Sequence, residues 1–165
     1  MRILGIDPGY GITGFAVVEA DRANMRLITC GAITTPAGMD FSARLEIIYE
    51  DMRRLLESTK PDTVAIEELF FGQNVTTGIG VAQSRGVILL AIRQAGLEVT
   101  SYKPMQVKQS VVGYGSATKH QVQDMTKRLL HLQAMPKPDD AADAIAIALC
   151  HARSSTSLLV QAGKQ

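Results

Sequence analysis

An α/β fold built on a mixed sheet is predicted by three features of the chain. Apolar strand-like runs end on acidic residues, amphipathic helical stretches separate the later runs, and short polar turns separate the early ones. In 165 residues, 46% hydrophobic and 20% charged, these features describe an ordinary globular chain with a core large enough to need no staples. Residues 2–7, 13–20 and 25–35 read as three strands joined by the turns Gly9–Gly11 and Asp21–Asn24, an antiparallel meander. Leu45, Ile48, Tyr49, Met52, Leu55 and Leu56 recur at helical spacing, which predicts a helix over Phe41–Thr59 that Lys60-Pro61-Asp62 ends.

A fourth strand follows at 63–67, then a loop over Phe70–Thr77 and a helix over Gly78–Gln94 that is apolar on much of its circumference. Leu97–Tyr102 reads as a fifth strand, and Pro104 suits the first turn of a short helix to Val112. Gly113-Tyr114-Gly115-Ser116 breaks that helix, with Ser116 or Thr118 as the cap of another running to Leu130. Pro136 and Pro138 precede a last helix over Ala141–His151. Ser154-Ser155-Thr156-Ser157 then begins what reads as a frayed tail, so the expectation is one domain over 1–153 and a flexible C-terminal tail over 154–165.

A strand–helix–strand connection is right-handed, so the fourth strand should lie parallel to one of the first three. If that neighbour is the first strand, Asp7 and Glu67 fall at the same end of adjacent strands, about 4.8 Å apart. Cys30 and Cys150 read as buried thiols of a reducing cytosol, with a single disulfide left open. No apolar stretch approaches the roughly 20 residues a membrane helix needs, and a cytoplasmic location is expected.

The net charge of +1 conceals an uneven distribution. Residues 101–137 hold Lys103, Lys108, Lys119, Lys127, Arg128 and Lys137 against Asp124 alone, six cations less one acid or +5, which leaves −4 for the rest of the chain. A basic stretch beside an acidic cluster suits an enzyme acting on a polyanion, although a solvated helix face explains the charges equally well.

The acids themselves sit at element ends. Asp7 closes Ile3-Leu4-Gly5-Ile6 before a glycine-rich turn, Glu67 closes Thr63-Val64-Ala65-Ile66, and Asp140 and Asp143 share one face at the start of the last helix. Carboxylates at buried strand ends need compensation, and several that converge suggest a divalent-metal site. Helix capping accounts for Asp140 and Asp143 at least as well when they are taken alone, and Asp139 is assigned to capping or solvent.

Four ordered segments carry a resemblance. Ile3-Leu4-Gly5-Ile6-Asp7-Pro8-Gly9 with Thr13-Gly14, Ala65-Ile66-Glu67 with Phe70-Phe71 and Asn74, Gln106-Val107-Lys108-Gln109, and Asp140-Ala141-Ala142-Asp143-Ala144-Ile145-Ala146-Ile147-Ala148 closely resemble the RuvC family of bacterial Holliday junction resolvases. The resemblance implies a ribonuclease H-like fold, here a five-stranded mixed sheet flanked by helices, and a homodimer that nicks a four-way DNA junction at two symmetric points. It implies that Asp7, Glu67, Asp140 and Asp143 bind two Mg²⁺ per site, with Mn²⁺ able to substitute. Lys108 and Lys119 fall at positions resembling catalytic or DNA-contacting lysines, Phe70 at one resembling a base-contacting ring, and RuvA and RuvB branch-migration proteins are the implied partners. Two departures stand out: Ser84, where the family often has Ala, and Tyr10, where a small polar residue is common.

Two Mg²⁺ would reverse the repulsion that four carboxylates present to a phosphodiester, activate a water and stabilise the leaving 3′ oxygen, giving 5′-phosphate and 3′-hydroxyl ends. His120, His131 and His151 lack an evident Ser or Cys partner, which disfavours covalent catalysis. Other readings remain at this point: a different ribonuclease H-like nuclease, a non-catalytic junction-binding module, and an actin-like phosphate-binding fold, which would need two lobes. The helix over 78–94 is more apolar than one covered face requires, as either a dimer interface or a buried internal helix would be.

Overall fold

The structure, a computed structural model, describes residues 1–21, 24–69 and 75–162, and of 75–76 and 156–162 the backbone alone. Its described residues form strands β1 (Arg2–Asp7), β2 (Ile12–Asp21), β3 (Asn24–Thr34), β4 (Thr63–Glu67) and β5 (Val99–Tyr102). Its helices are α1 (Phe41–Thr59), α2 (Val75–Gln94), α3 (Pro104–Val112), α4 (Lys119–Leu129) and α5 (Asp139–Ala162). The sheet order is β3-β2-β1-β4-β5, antiparallel through β3, β2 and β1 and parallel from β1 through β4 to β5. A mixed five-stranded sheet is therefore present, and the neighbour of β4 is β1.

Strand alternation divides the core. Leu4 and Ile6 of β1 and Val64 and Ile66 of β4 pack with Ile48, Met52 and Leu56 of α1 and Ile88, Ala91 and Ile92 of α2. Ile3 and Ala65 face the other way, into a core shared with α3, α4 and the alanine-rich α5. By the same alternation, Asp7 and Glu67 point to the α5 side.

Local chemistry sets the helix ends. The Asp40 carboxylate caps α1 by accepting from the Ser42 and Ala43 amides at 2.9 and 3.3 Å, and Lys60 closes it in the left-handed region at φ 45° before Pro61. Thr118, the second of the two expected caps, accepts from the Gln121 amide while the Gln121 side chain accepts from the Thr118 amide, a reciprocal capping box for α4. Gly113 ends α3 at φ 105°, a conformation that favours glycine.

Three expectations need correction. β5 begins at Val99 rather than Leu97, because the Leu97 amide still donates to the Ile92 carbonyl and belongs to the turn leaving α2. α2 starts at Val75 rather than Gly78, within the span expected to be loop. Most visibly, α5 begins at Asp139 and continues through Ser154–Ser157 to Ala162, where a frayed tail was expected. Its backbone is held past His151 by a buried Ala152, by Arg153 donating to the Ser110 carbonyl and by the Ser154 hydroxyl donating to the Cys150 carbonyl at 3.0 Å. Both cysteines are free thiols, and among the described residues no helix is long and apolar enough to cross a membrane.

Candidate active site

The parallel register pairs Ile6 with Ile66, so the next residues, Asp7 and Glu67, stand side by side at the strand ends. On its other edge Asp7 pairs with Gly14 of β2. Gly14 is glycine for a steric reason: a Cβ there would overlap the Asp140 carbonyl and lie 3.0 Å from the Ala141 nitrogen. Deeper in the same groove, a Cβ on Gly5 would lie 2.8 Å from the Ala148 nitrogen and 2.9 Å from its Cβ. Two glycines below and three alanines above, Ala141, Ala144 and Ala148, thus let α5 lie almost on the sheet, which brings its first turn over Asp7.

The electrostatics record that closeness. Burial, followed by the charges of Glu67, Asp143 and Asp140, raises the Asp7 pKa from 3.8 to about 8, with Lys119 pulling the other way. Glu67 is also raised, by burial and then by Asp143, while Lys108 opposes the shift. Asp7 and Glu67 therefore resist ionising together, and only compensating positive charge makes both anionic at neutral pH.

Part of that charge comes from the basic segment. Lys119 Nζ donates to Asp143 Oδ2 at 2.8 Å and lies 3.5 Å from Asp139 Oδ2. That hydrogen bond to Asp143 leads the causes raising the Lys119 pKa, whereas Lys119 followed by Lys137 lowers that of Asp139. Lys108 and Lys119, from α3 and α4, line a cleft of about 200 Å³ together with Glu67 and Asp143. The four acids and both lysines proposed from sequence thus border one end of the sheet. Phe70 lies outside the described residues, as do Phe71 and Asn74.

As the side chains stand, among the described residues no group of three His, Cys, Asp or Glu is arranged to hold a metal ion. Asp143 is held by Lys119 within reach of the charges of Asp7 and Glu67. The donors nevertheless fit a hard divalent cation: they are carboxylate oxygens, and a half-buried Asp7 driven to a pKa of about 8 lacks the counter-charge such an ion carries.

Residues 3–151 match the profile of the crossover junction endodeoxyribonuclease RuvC family. The chain belongs to the RuvC family. The RuvC protein of Chloroflexus aurantiacus is 53% identical over 158 residues, 96% of each chain. That of Brevibacillus brevis is 51% identical over 163 residues, 99% of this chain and 98% of the other. In three dimensions the T. thermophilus RuvC in complex with Holliday junction substrate superposes with a TM-score of 0.90 at 35% identity, covering 95% of this chain and 96% of that one. RuvC membership makes the chain a crossover junction endonuclease of ribonuclease H-like fold, as its motifs led one to expect.

Four residues at the site escaped the sequence reading of function. Thr13 and Gly14 were read as motif letters without a task, Ser84 as a departure from the family pattern and Arg85 only as part of a helix. Thr13 Oγ1 donates to the Gly9 carbonyl at 2.6 Å, Ser84 Oγ donates to the same oxygen at 2.8 Å, and Arg85 Nε donates to the Glu67 carbonyl at 3.1 Å. Buried Thr13 and Ser84, both 0% exposed, needed such partners, but nothing local in the sequence names them.

Proposed function

We propose that this chain resolves four-way DNA junctions by paired, symmetric nicks, with Asp7, Glu67, Asp140 and Asp143 holding two Mg²⁺ ions. The observation that carries the reading is the cluster of acids at the β1 and β4 ends under the first turn of α5, where burial and then the neighbouring charges push Asp7 to a pKa of about 8. When bound, such cations supply the positive charge that draws in a phosphodiester, lower the pKa of the attacking water and stabilise the leaving oxygen. The chain's own residues do the rest. Asp7 and Glu67, fixed on adjacent strands, define the floor on which the scissile phosphate is oriented, and Asp140 and Asp143 close it from above. Lys108 and Lys119 flank the cleft, where a phosphate oxygen can replace Asp143 as the partner of Lys119 and keep its charge beside the reacting group. Products carry 5′-phosphate and 3′-hydroxyl ends.

Paired nicks call for two sites related by a two-fold axis, hence a homodimer. Support comes from α2, whose inner residues Ile88, Ala91 and Ile92 are buried while Ile79 and Leu90 remain 53% exposed each. Phe70 as a base-contacting ring, Mn²⁺ as a substitute ion, RuvA and RuvB as partners, a single nuclease domain and a cytoplasmic location complete the reading.

The test incubates the protein with Mg²⁺ and a synthetic four-way junction, with linear duplex and RNA·DNA hybrid as controls. Junction-selective cleavage is expected, and Asp7→Asn should bind the junction nearly as well as the parent while losing Mg²⁺-dependent cleavage. Full activity in Asp7→Asn would refute the metal assignment.

A further inference from the structure

The two strands that carry Asp7 and Glu67 are both gripped by α2, from the face of the sheet opposite the acids. Ser84 Oγ donates to the Gly9 carbonyl, two residues beyond Asp7, and Thr13 Oγ1 shares that acceptor from the start of β2. One turn earlier, Gly80 supports the Tyr10 ring, where a Cβ would lie 3.0 Å from the ring edge. The ring also packs against Phe41 at 5.8 Å between centroids, with the Arg44 guanidinium 4.8 Å above it. One residue after Ser84, Arg85 reaches the other strand: its Nε donates to the Glu67 carbonyl at 3.1 Å and its Nη2 to Ser101 Oγ of β5 at 2.8 Å. Ile66 and Ser101 are paired in the parallel register, so the guanidinium spans the β4–β5 seam at the level of Glu67.

These anchors sit where the backbone needs them. Asp7 is the last residue of β1, followed by Pro8, which has no amide to extend the ladder, and Glu67 is the last of β4. The two carboxyl groups stand side by side at these ends, where like charges repel, and unsupported strand ends would yield by drifting apart. Magnesium tolerates little drift, because it demands near-ideal octahedral geometry at about 2.0–2.1 Å. A planar, forked donor bridging two strands resists such drift better than a single-point donor.

We propose that Ser84 and Arg85 are positioning residues for the cleavage reaction: through the Gly9 and Glu67 carbonyls they set the spacing of Asp7 and Glu67 without touching DNA or metal. This rests on the metal reading of those two acids. It also gives Ser84 and Tyr10, the two departures from the family pattern, a shared place in one clamp.

Single-turnover cleavage of a synthetic four-way junction, measured across a Mg²⁺ titration with junction affinity measured separately, tests the proposal. Arg85→Met should slow cleavage about ten- to a hundredfold and raise the half-saturating Mg²⁺ concentration, as loss of an outer support to a metal ligand does. Junction Kd and its salt dependence should stay at the parent value. Ser84→Ala and Ser101→Ala should shift the same two readouts less, and Ser101→Ala should add nothing to Arg85→Met, because both cut one bridge. If Arg85→Met fails to fold, Ser84→Ala and Ser101→Ala carry the test on their own. Parent-like rates and Mg²⁺ dependence in the variants, or a weakened Kd with a flatter salt slope in Arg85→Met, would overturn the proposal. Failure of the underlying metal reading looks different: the parent would not need Mg²⁺, or Asp7→Asn would cleave like the parent.

Discussion

The two faces of the sheet are packed by opposite means. Against α1 and α2 the strands present Leu4, Ile6, Val17, Val64 and Ile66, which meet Ile48, Met52, Leu56, Ile88 and Ile92. Against α5, β1 and β2 present Gly5 and Gly14, which meet Ala141, Ala144 and Ala148 at backbone distance. Large aliphatic pairs bury the most area and tolerate small shifts by changing rotamers, so the first face stabilises the fold without fixing the site. The second adds to its own aliphatic burial, at Ile3, Val18, Ile145, Ile147 and Leu149, a seam of close backbone contact. Backbone seated on backbone has nothing to adjust, so the second fixes where α5 lies, and with it Asp140 and Asp143. Both sides of the sheet thus contribute stability, but placement of the site is drawn from the glycine–alanine seam of one.

Single substitutions can break that division. Gly14→Ala should have the largest effect on the reaction: its methyl has only the Asp140–Ala141 backbone to displace, and a shift of about 1 Å in the first turn of α5 is worth about a hundredfold in rate. Cleavage assays alongside thermal melts should show activity lost well beyond stability; a parent-like rate would mean that α5 adjusts freely. Met52→Ala on the opposite face should do the reverse, costing about 2–5 kcal/mol of unfolding free energy in a urea titration while folded molecules cleave at nearly the parent rate.

A third expected effect sharpens the comparison through pH. Folded Asp7 holds its proton to about pH 8, whereas the unfolded chain releases it near the ordinary 3.8. Between those values the folded state binds the extra proton, so this group's contribution is fully present below about pH 4 and is lost as pH rises to 8. In metal-free buffer Asp7→Asn should therefore gain melting temperature over the parent as pH is raised from about 5 to about 8, and added Mg²⁺ should narrow the gap by stabilising the parent. A gap that does not change with pH would place Asp7 outside the acidic cluster.

Much of this was legible where causes are local. α1 matches its expected limits because Asp40, Lys60 and Pro61 mark both ends, and β4 matches because polar residues bound a short apolar run. The adjacency of Asp7 and Glu67 followed from one handedness rule plus the assumption, now met, that β4 lies beside β1. The length of α5 was not legible, since a Ser/Thr run has poor helix propensity and the contacts that hold it there come from Ser110 and Cys150. Neither was the pairing of Lys119 with Asp143, which joins α4 to α5 across 24 residues, nor the reach of Arg85 to β4 and β5. Such contacts depend on which elements meet in space, and periodicity carries no record of that.

Cys150 gives the seam between α3 and α5 a built-in chemical clock. Its thiol is 1% exposed, faces the Gln106 carbonyl at 3.8 Å and is held protonated by burial, so a thiol-specific dye reaches it only when those helices part. Half-buried Cys30, on β3, is the internal reference that should react first. The lag between the two adducts, followed by mass spectrometry, would time how often the helix bearing Asp140 and Asp143 loosens its hold.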